Sequence, residues 1–126
     1  MINEKQPVIR VDNGFLWRKW QKGKWTNVGA EKFYGEIQEG KVIRDYGVII
    51  RTTNPFTSQK RRVILFAGCH TFGTVAASKY FTESALRELD YDILKANNIA
   101  LIISVRVVDE YPTDIKLEKS FTWKPN

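Results

Sequence analysis

The stretch from Arg62 to Phe81 constrains this chain more than any other part of it. A short apolar run, Val63 to Ala67, is followed by a glycine-bracketed segment, Gly68-Cys69-His70-Thr71-Phe72-Gly73-Thr74, and then by small residues from Val75 to Phe81. Strand, tight turn and helix start follow one another there. In an open α/β sheet that order presents backbone N–H groups to a ligand. Gly68 lets the chain turn at the strand end, Gly73 admits a ligand to the backbone, and Thr71 or Thr74 caps the helix and offers a hydroxyl. These residues and His70 form the candidate ligand-binding loop, suited to a small anion such as a nucleotide or phosphorylated metabolite. The structural reading of the same residues is a packing turn, with Ala76, Ala77 and Ser78 allowing close approach of helix to sheet. The spacing is neither G-x-G-x-x-G nor the lysine-containing P-loop, so triphosphate hydrolysis by that route has little support.

Cys69 and His70 raise the third option, an enzyme. A cysteine at a strand end beside a helix N-terminus is a candidate nucleophile, and His70 is the one histidine of the chain. Neighbours on extended backbone point to opposite faces, which places the pair poorly for proton transfer. A buried cysteine acting as a small hydrophobe is the simpler account. One Cys and one His do not fill a zinc set. No catalytic residue, metal ligand or cofactor is assigned.

With 126 residues the chain has the length of one domain, 1–126, able to bury a core without staples. A single cysteine rules out an intrachain disulfide, and the N-terminal sequence lacks the apolar centre of a secretory signal. A cytoplasmic setting is expected, with no membrane partner. The net charge is +6, and it is unevenly placed: residues 1–65 hold 13 Lys and Arg against 6 Asp and Glu. Such a surface attracts phosphate-bearing partners, and it also simply keeps a protein soluble.

Taken in order, Val8 to Val11 reads as a strand ended by Asp12-Asn13-Gly14, and residues 15–28 as a hairpin around a Lys-Gly turn. Trp17, Trp20 and Trp25 alternate there with Arg18, Lys19, Lys22 and Lys24. These seven residues form the alternative surface, in which indoles stack bases while cations hold phosphates, or in which a protein docks. Otherwise the indoles cover one end of a small core and the cations face solvent. Residues 30–43 fit neither period and are expected to be loop with a short strand. Val48 to Thr52 reads as a buried strand, Asn54 to Gln59 as a loop, and Lys60-Arg61-Arg62 as a basic triplet at the far end of the next strand from the glycine loop.

Residues 83–96 have helical character, Ile99 to Val108 forms a strand, and Tyr111-Pro112-Thr113 a turn. Ile115, Leu117, Phe121 and Trp123 then alternate with polar residues over an edge strand that could extend its sheet into a homodimer. The expected fold class is α/β: a mixed β-sheet with β-rich ends, one strand-loop-helix unit and a second short helix. It divides into a basic Trp-rich part, 1–43, a β-α-β part, 44–110, and a terminal antiparallel strand, 113–123.

Arg44-Asp45-Tyr46-Gly47-Val48-Ile49, Asn54-Pro55-Phe56, and Val63 to Gly68 with His70, Gly73, Thr74, Ala76 and Ala77 resemble a pattern of uncharacterised prokaryotic domains, R-D-Y-G, N-P-F, then A-G-x-H-x-x-G-T-x-A-A. The resemblance covers about residues 44–110. It implies a Rossmann-like half-sheet with a Gly-Thr loop and carries over no activity. The leading expectation is a non-catalytic module binding a small anion at the loop.

Overall fold

A computed structural model describes residues 7–53 and 61–123. The strands are β1 (Val8–Val11), β2 (Gly14–Gln21), β3 (Lys24–Tyr34), β4 (Glu36–Gln38), β5 (Lys41–Thr53), β6 (Arg62–Gly68), β7 (Ile99–Val108) and β8 (Tyr111–Thr122). Between β6 and β7 lie the helices α1 (Thr71–Glu83), α2 (Ala85–Glu88) and α3 (Tyr91–Lys95). The expected loop at Asn54 to Gln59 and Lys60 of the basic triplet lie outside the described residues.

Three layers result. A five-stranded sheet runs β4-β5-β7-β8, with β6 also on β5, and a three-stranded sheet runs β1-β2-β3. Strand β7 separates the two cores by its alternation, since successive side chains of a strand point to opposite faces. Ile99, Leu101 and Ile103 join Ile49 with Ala77, Tyr80, Ala85 and Leu89 of the helical layer. Ala100 and Ile102 join Val48 and Ile50 with Val8, Phe15 and Trp17 of the small sheet. A central strand covered on both faces is largely apolar, and β7 is buried from Ile99 to Val105, with Ser104 the one polar side chain in that run.

Every described ladder is antiparallel. The mixed sheet and Rossmann-like half expected from the sequence require a parallel ladder, and none occurs among the described residues. The strand-helix-strand order is nevertheless kept. Both β6 and β7 run antiparallel to β5 and flank it, so the crossover from β6 through the helices to β7 spans one intervening strand. The coarse expectation of a sheet-rich chain with a strand-loop-helix unit holds.

Local differences have local causes. Residues 30–43 are mostly strand, because Gly35 lies at the junction of β3 and β4 and Gly40 (φ 76°) in the β4–β5 turn, so these glycines join strands instead of interrupting one. The last hairpin turns at Asp109 and Glu110, both at positive φ, so Tyr111-Pro112-Thr113 belongs to β8. The helical stretch expected over 83–96 is two short helices, parted where the extended Leu89 and Asp90 end one and cap the other.

Strand β8 lies at a sheet edge, as expected. Its period-two pattern does not define one face, however. Leu117 pairs with Ile103 and Lys119 with Ile102, so Glu118 is an extra residue, and the bulge reverses which side odd-numbered residues face. Ile115 and Leu117 pack under the helices, whereas Phe121 and Trp123 pack on the small-sheet side.

Candidate functional site

The glycine segment is built on a gap in one edge of β5. Strands β4 and β6 both pair with that edge, β4 as far as Arg44 and β6 from Gly47 onward, which leaves Asp45 and Tyr46 between them. The turn into α1 fills the gap. Cys69 N–H donates to the Tyr46 carbonyl at 3.0 Å. The fully buried Asp45 carboxylate accepts from the His70 N–H at 3.1 and 3.2 Å, from the Gly73 N–H at 2.6 Å, and from the Tyr46 N–H at 2.9 Å.

This explains why α1 begins at Thr71 instead of Val75. A helix start needs acceptors for its first N–H groups, and no acidic residue lies in the first turn. Asp45 supplies the carboxylate from another element. Burying a charge is tolerated because backbone donors converge on it. The glycines make the approach close enough: a Cβ on Gly73 would overlap the Tyr46 carbonyl, and one on Gly47 would overlap the Gly73 carbonyl. The Arg10 guanidinium donates to the Gly68 carbonyl at 2.9 Å and ties β1 to the same turn. Of the predicted loop residues, Gly68, His70 and Gly73 are thus engaged with the protein itself, while Thr71 and Thr74 are exposed on the first turn.

Cys69 and His70 do not form a hydrogen-bonded pair among the described residues. The Cys69 thiol is directed at the Phe33 carbonyl, 3.8 Å away, while the His70 ring lies against Gly35, where a Cβ would come 2.7 Å from Cδ2. Burial, and secondarily the Asp45 charge, push the Cys69 thiol above its ordinary pKa. It is therefore protonated near neutrality, the wrong state for a nucleophile.

The second predicted surface divides. Trp17 and Arg18 are buried, Trp17 in the core against Phe15 and Val48. Lys19, Trp20, Lys22 and Lys24 are exposed, and Trp25 is half-buried. Trp20 and Trp25 are cross-strand partners with ring centroids 5.0 Å apart, and from Trp25 the contacts run on to Phe121 at 5.1 Å and Trp123 at 6.4 Å. Trp17 meets Phe121 edge-on at 6.5 Å, so all four tryptophans of the chain belong to one cluster. It crosses from the β2–β3 hairpin to the end of β8. Lys119 borders it, paired with Glu31 at 2.7 Å.

Phe121 and Trp123 were missed from sequence because β8 reads as a single alternating strand; only the Glu118 bulge brings them to this side. Asp45 was missed as well, although an acid in the R-D-Y-G stretch leading straight into the apolar run Val48 to Ile50 was a signal. A shallow depression of about 730 Å³ lies elsewhere, between the β4–β5 and β7–β8 hairpins. Its lining mixes Glu36, Glu39, Asp109 and Glu110 with Lys41, Arg44 and Arg106, and includes none of the predicted site residues.

The fold is a three-layered, sheet-rich α/β chain with an aromatic cluster across the small sheet and the end of β8. No family model matches the chain, and no curated protein or solved structure is significantly similar to it. No described helix is long and apolar enough to cross a membrane.

Proposed function

We propose that the protein is a non-catalytic interaction module that binds single-stranded nucleic acid on the ledge formed by Trp20, Trp25, Phe121 and Trp123. The observation that carries this reading is the continuous aromatic cluster, 44% exposed at Trp20, on a hairpin whose other face and turn carry the exposed Lys19, Lys22 and Lys24. Aromatic faces stack bases of any sequence, and lysines beside them neutralise the phosphates that connect those bases. The excess of basic residues in the first half of the chain favours the same partner over an acidic-poor protein surface.

Fluorescence anisotropy with a labelled 12-nucleotide single strand tests this at 50 and 200 mM salt. Stacking of one base is worth about 1–3 kcal/mol, so Trp20→Ala should weaken binding at least about fivefold. Replacing Lys22 and Lys24 with Ala should flatten the salt dependence. Both positions are exposed, so the fold is expected to survive. Absence of binding at 50 mM salt, or affinity indifferent to Trp20→Ala, would overturn the reading.

The small-anion reading of the glycine loop retains one supporting observation, the exposed Thr71 and Thr74 on the first turn of α1. An anion there would approach the Asp45 carboxylate, which already takes the His70 and Gly73 N–H groups. The ledge is the better-supported surface for that reason.

A further inference from the structure

We infer that β6 is a self-association edge, through which two copies of the chain join their five-stranded sheets across a two-fold axis at Leu65. A sheet edge exposes unpaired backbone groups, and proteins ordinarily blunt it with charge, proline, bulges or brevity. The other described edges carry such guards. Strand β1 has four residues and β4 has three. Strand β3 bears Lys24, Glu31 and Lys32 and a register shift against β2. Strand β8 has Pro112, two register shifts, and Asp114, Lys116, Glu118 and Lys119 along its length.

Strand β6 has none of these from Val63 to Gly68. Its seven residues pair with β5 without a shift, its only charge is Arg62 at one end, and among the described strands it has a partner on one side alone. Ile64 is 41% exposed.

The occupant is a second copy because the sequence of β6 complements itself. Antiparallel pairing centred on Leu65 sets Val63 opposite Ala67, Ile64 opposite Phe66, and Arg62 opposite Gly68. Cross-strand partners share a face and interact directly. Ile64 and Phe66 then meet on the helical side, and Leu65 meets its own copy on the other. The two Arg62 side chains fall at opposite ends, so no like charges face each other. Such an isologous contact closes on itself and gives a dimer, not a fibre.

The test is sedimentation equilibrium of the full chain over a concentration series, with far-UV circular dichroism as the check on folding. Wild type should sediment at twice the mass of the chain. Ile64→Lys puts two charges into the contact and should raise the dimer dissociation constant at least about 100-fold. Ser120→Lys, on the exposed β8 edge, should leave the dimer intact. Backbone hydrogen exchange at Val63 to Ala67 in wild type should slow as the concentration rises, a readout that does not depend on any variant folding. A wild type that stays monomeric at about 100 µM, a dimer that survives Ile64→Lys, or one abolished by Ser120→Lys would each overturn the inference.

Discussion

Asp45 is the residue on which the local architecture turns. It is a carboxylate with no described cationic partner, buried completely, whose charge is met by the backbone N–H groups of Tyr46, His70 and Gly73. Replacing it with Ala would leave the part-buried Tyr46 and His70 donors unsatisfied and Gly73 with only its 3.2 Å bond to the His70 carbonyl, and each orphaned group costs about 1–3 kcal/mol. Asp45→Ala should therefore destabilise the protein by about 3 kcal/mol or more, read as a lower urea midpoint at unchanged slope. A shift below about 1 kcal/mol would mean that water replaces the carboxylate freely. The glycines around Asp45 were legible as glycines that something must approach closely. What approaches them was not, because it is the chain's own β5 carbonyl and carboxylate, brought from more than twenty residues away. Sequence spacing describes an anion loop equally well whether its anion is a ligand or an aspartate from the next strand.

At the scale of elements, local pattern was informative wherever one strand kept one register. The first hairpins, the buried β5 and β7 and the final hairpin all follow from alternation, apolar runs and turn residues. Pattern misled where a ladder slips. The apolar residues stay at odd numbers from Ile115 on β8 to Trp123 just past its end, yet Glu118 reverses the faces midway. The bulge is specified by pairing with β7 and by the 2.7 Å hydrogen bond that Ser104 Oγ donates to Glu118 Oε1, neither of which is local. Deleting Glu118 removes the extra residue and forces a choice. If Ile115 and Leu117 stay under the helices, Phe121 and Trp123 must turn away from Trp17 and Trp25. The deletion should thus red-shift tryptophan emission and collapse the near-UV circular dichroism of the indole cluster, while the helical far-UV signal persists. Unchanged near-UV signal would show that β8 can restore its register without the bulge.

For the whole molecule, the question is whether three layers fold as one, and a buried and a half-buried acid on opposite sides of the central sheet provide a means of asking. Tyr80 lies in the helical core, where burial, and then the Glu88 charge, raise its pKa above the ordinary 10.0. Cys69 packs against the small-sheet core, with its pKa raised above the ordinary 9.0 by burial and then by Asp45. Each is neutral when protonated, so above pH 9 the unfolded chain releases protons that the folded chain retains. Stability from these groups is complete below pH 9 and is lost as pH rises through their folded values. The urea midpoint should be level from pH 7 to 8 and fall above pH 9. Cys69→Ala and Tyr80→Phe together should remove most of that fall. Tyr80→Phe alone should cost little at neutral pH, since the Tyr80 hydroxyl is buried without a hydrogen-bond partner. All four tryptophans report from the small-sheet side, and far-UV ellipticity near 222 nm is weighted to the helices on the other. If the layers unfold together, both probes must give the same midpoint at every pH, and each single substitution must move both curves equally. Should Cys69→Ala alter only the tryptophan curve and Tyr80→Phe only the helical one, the small sheet would be a separately melting cover, and the aromatic ledge it carries could change without disturbing the sheet beneath.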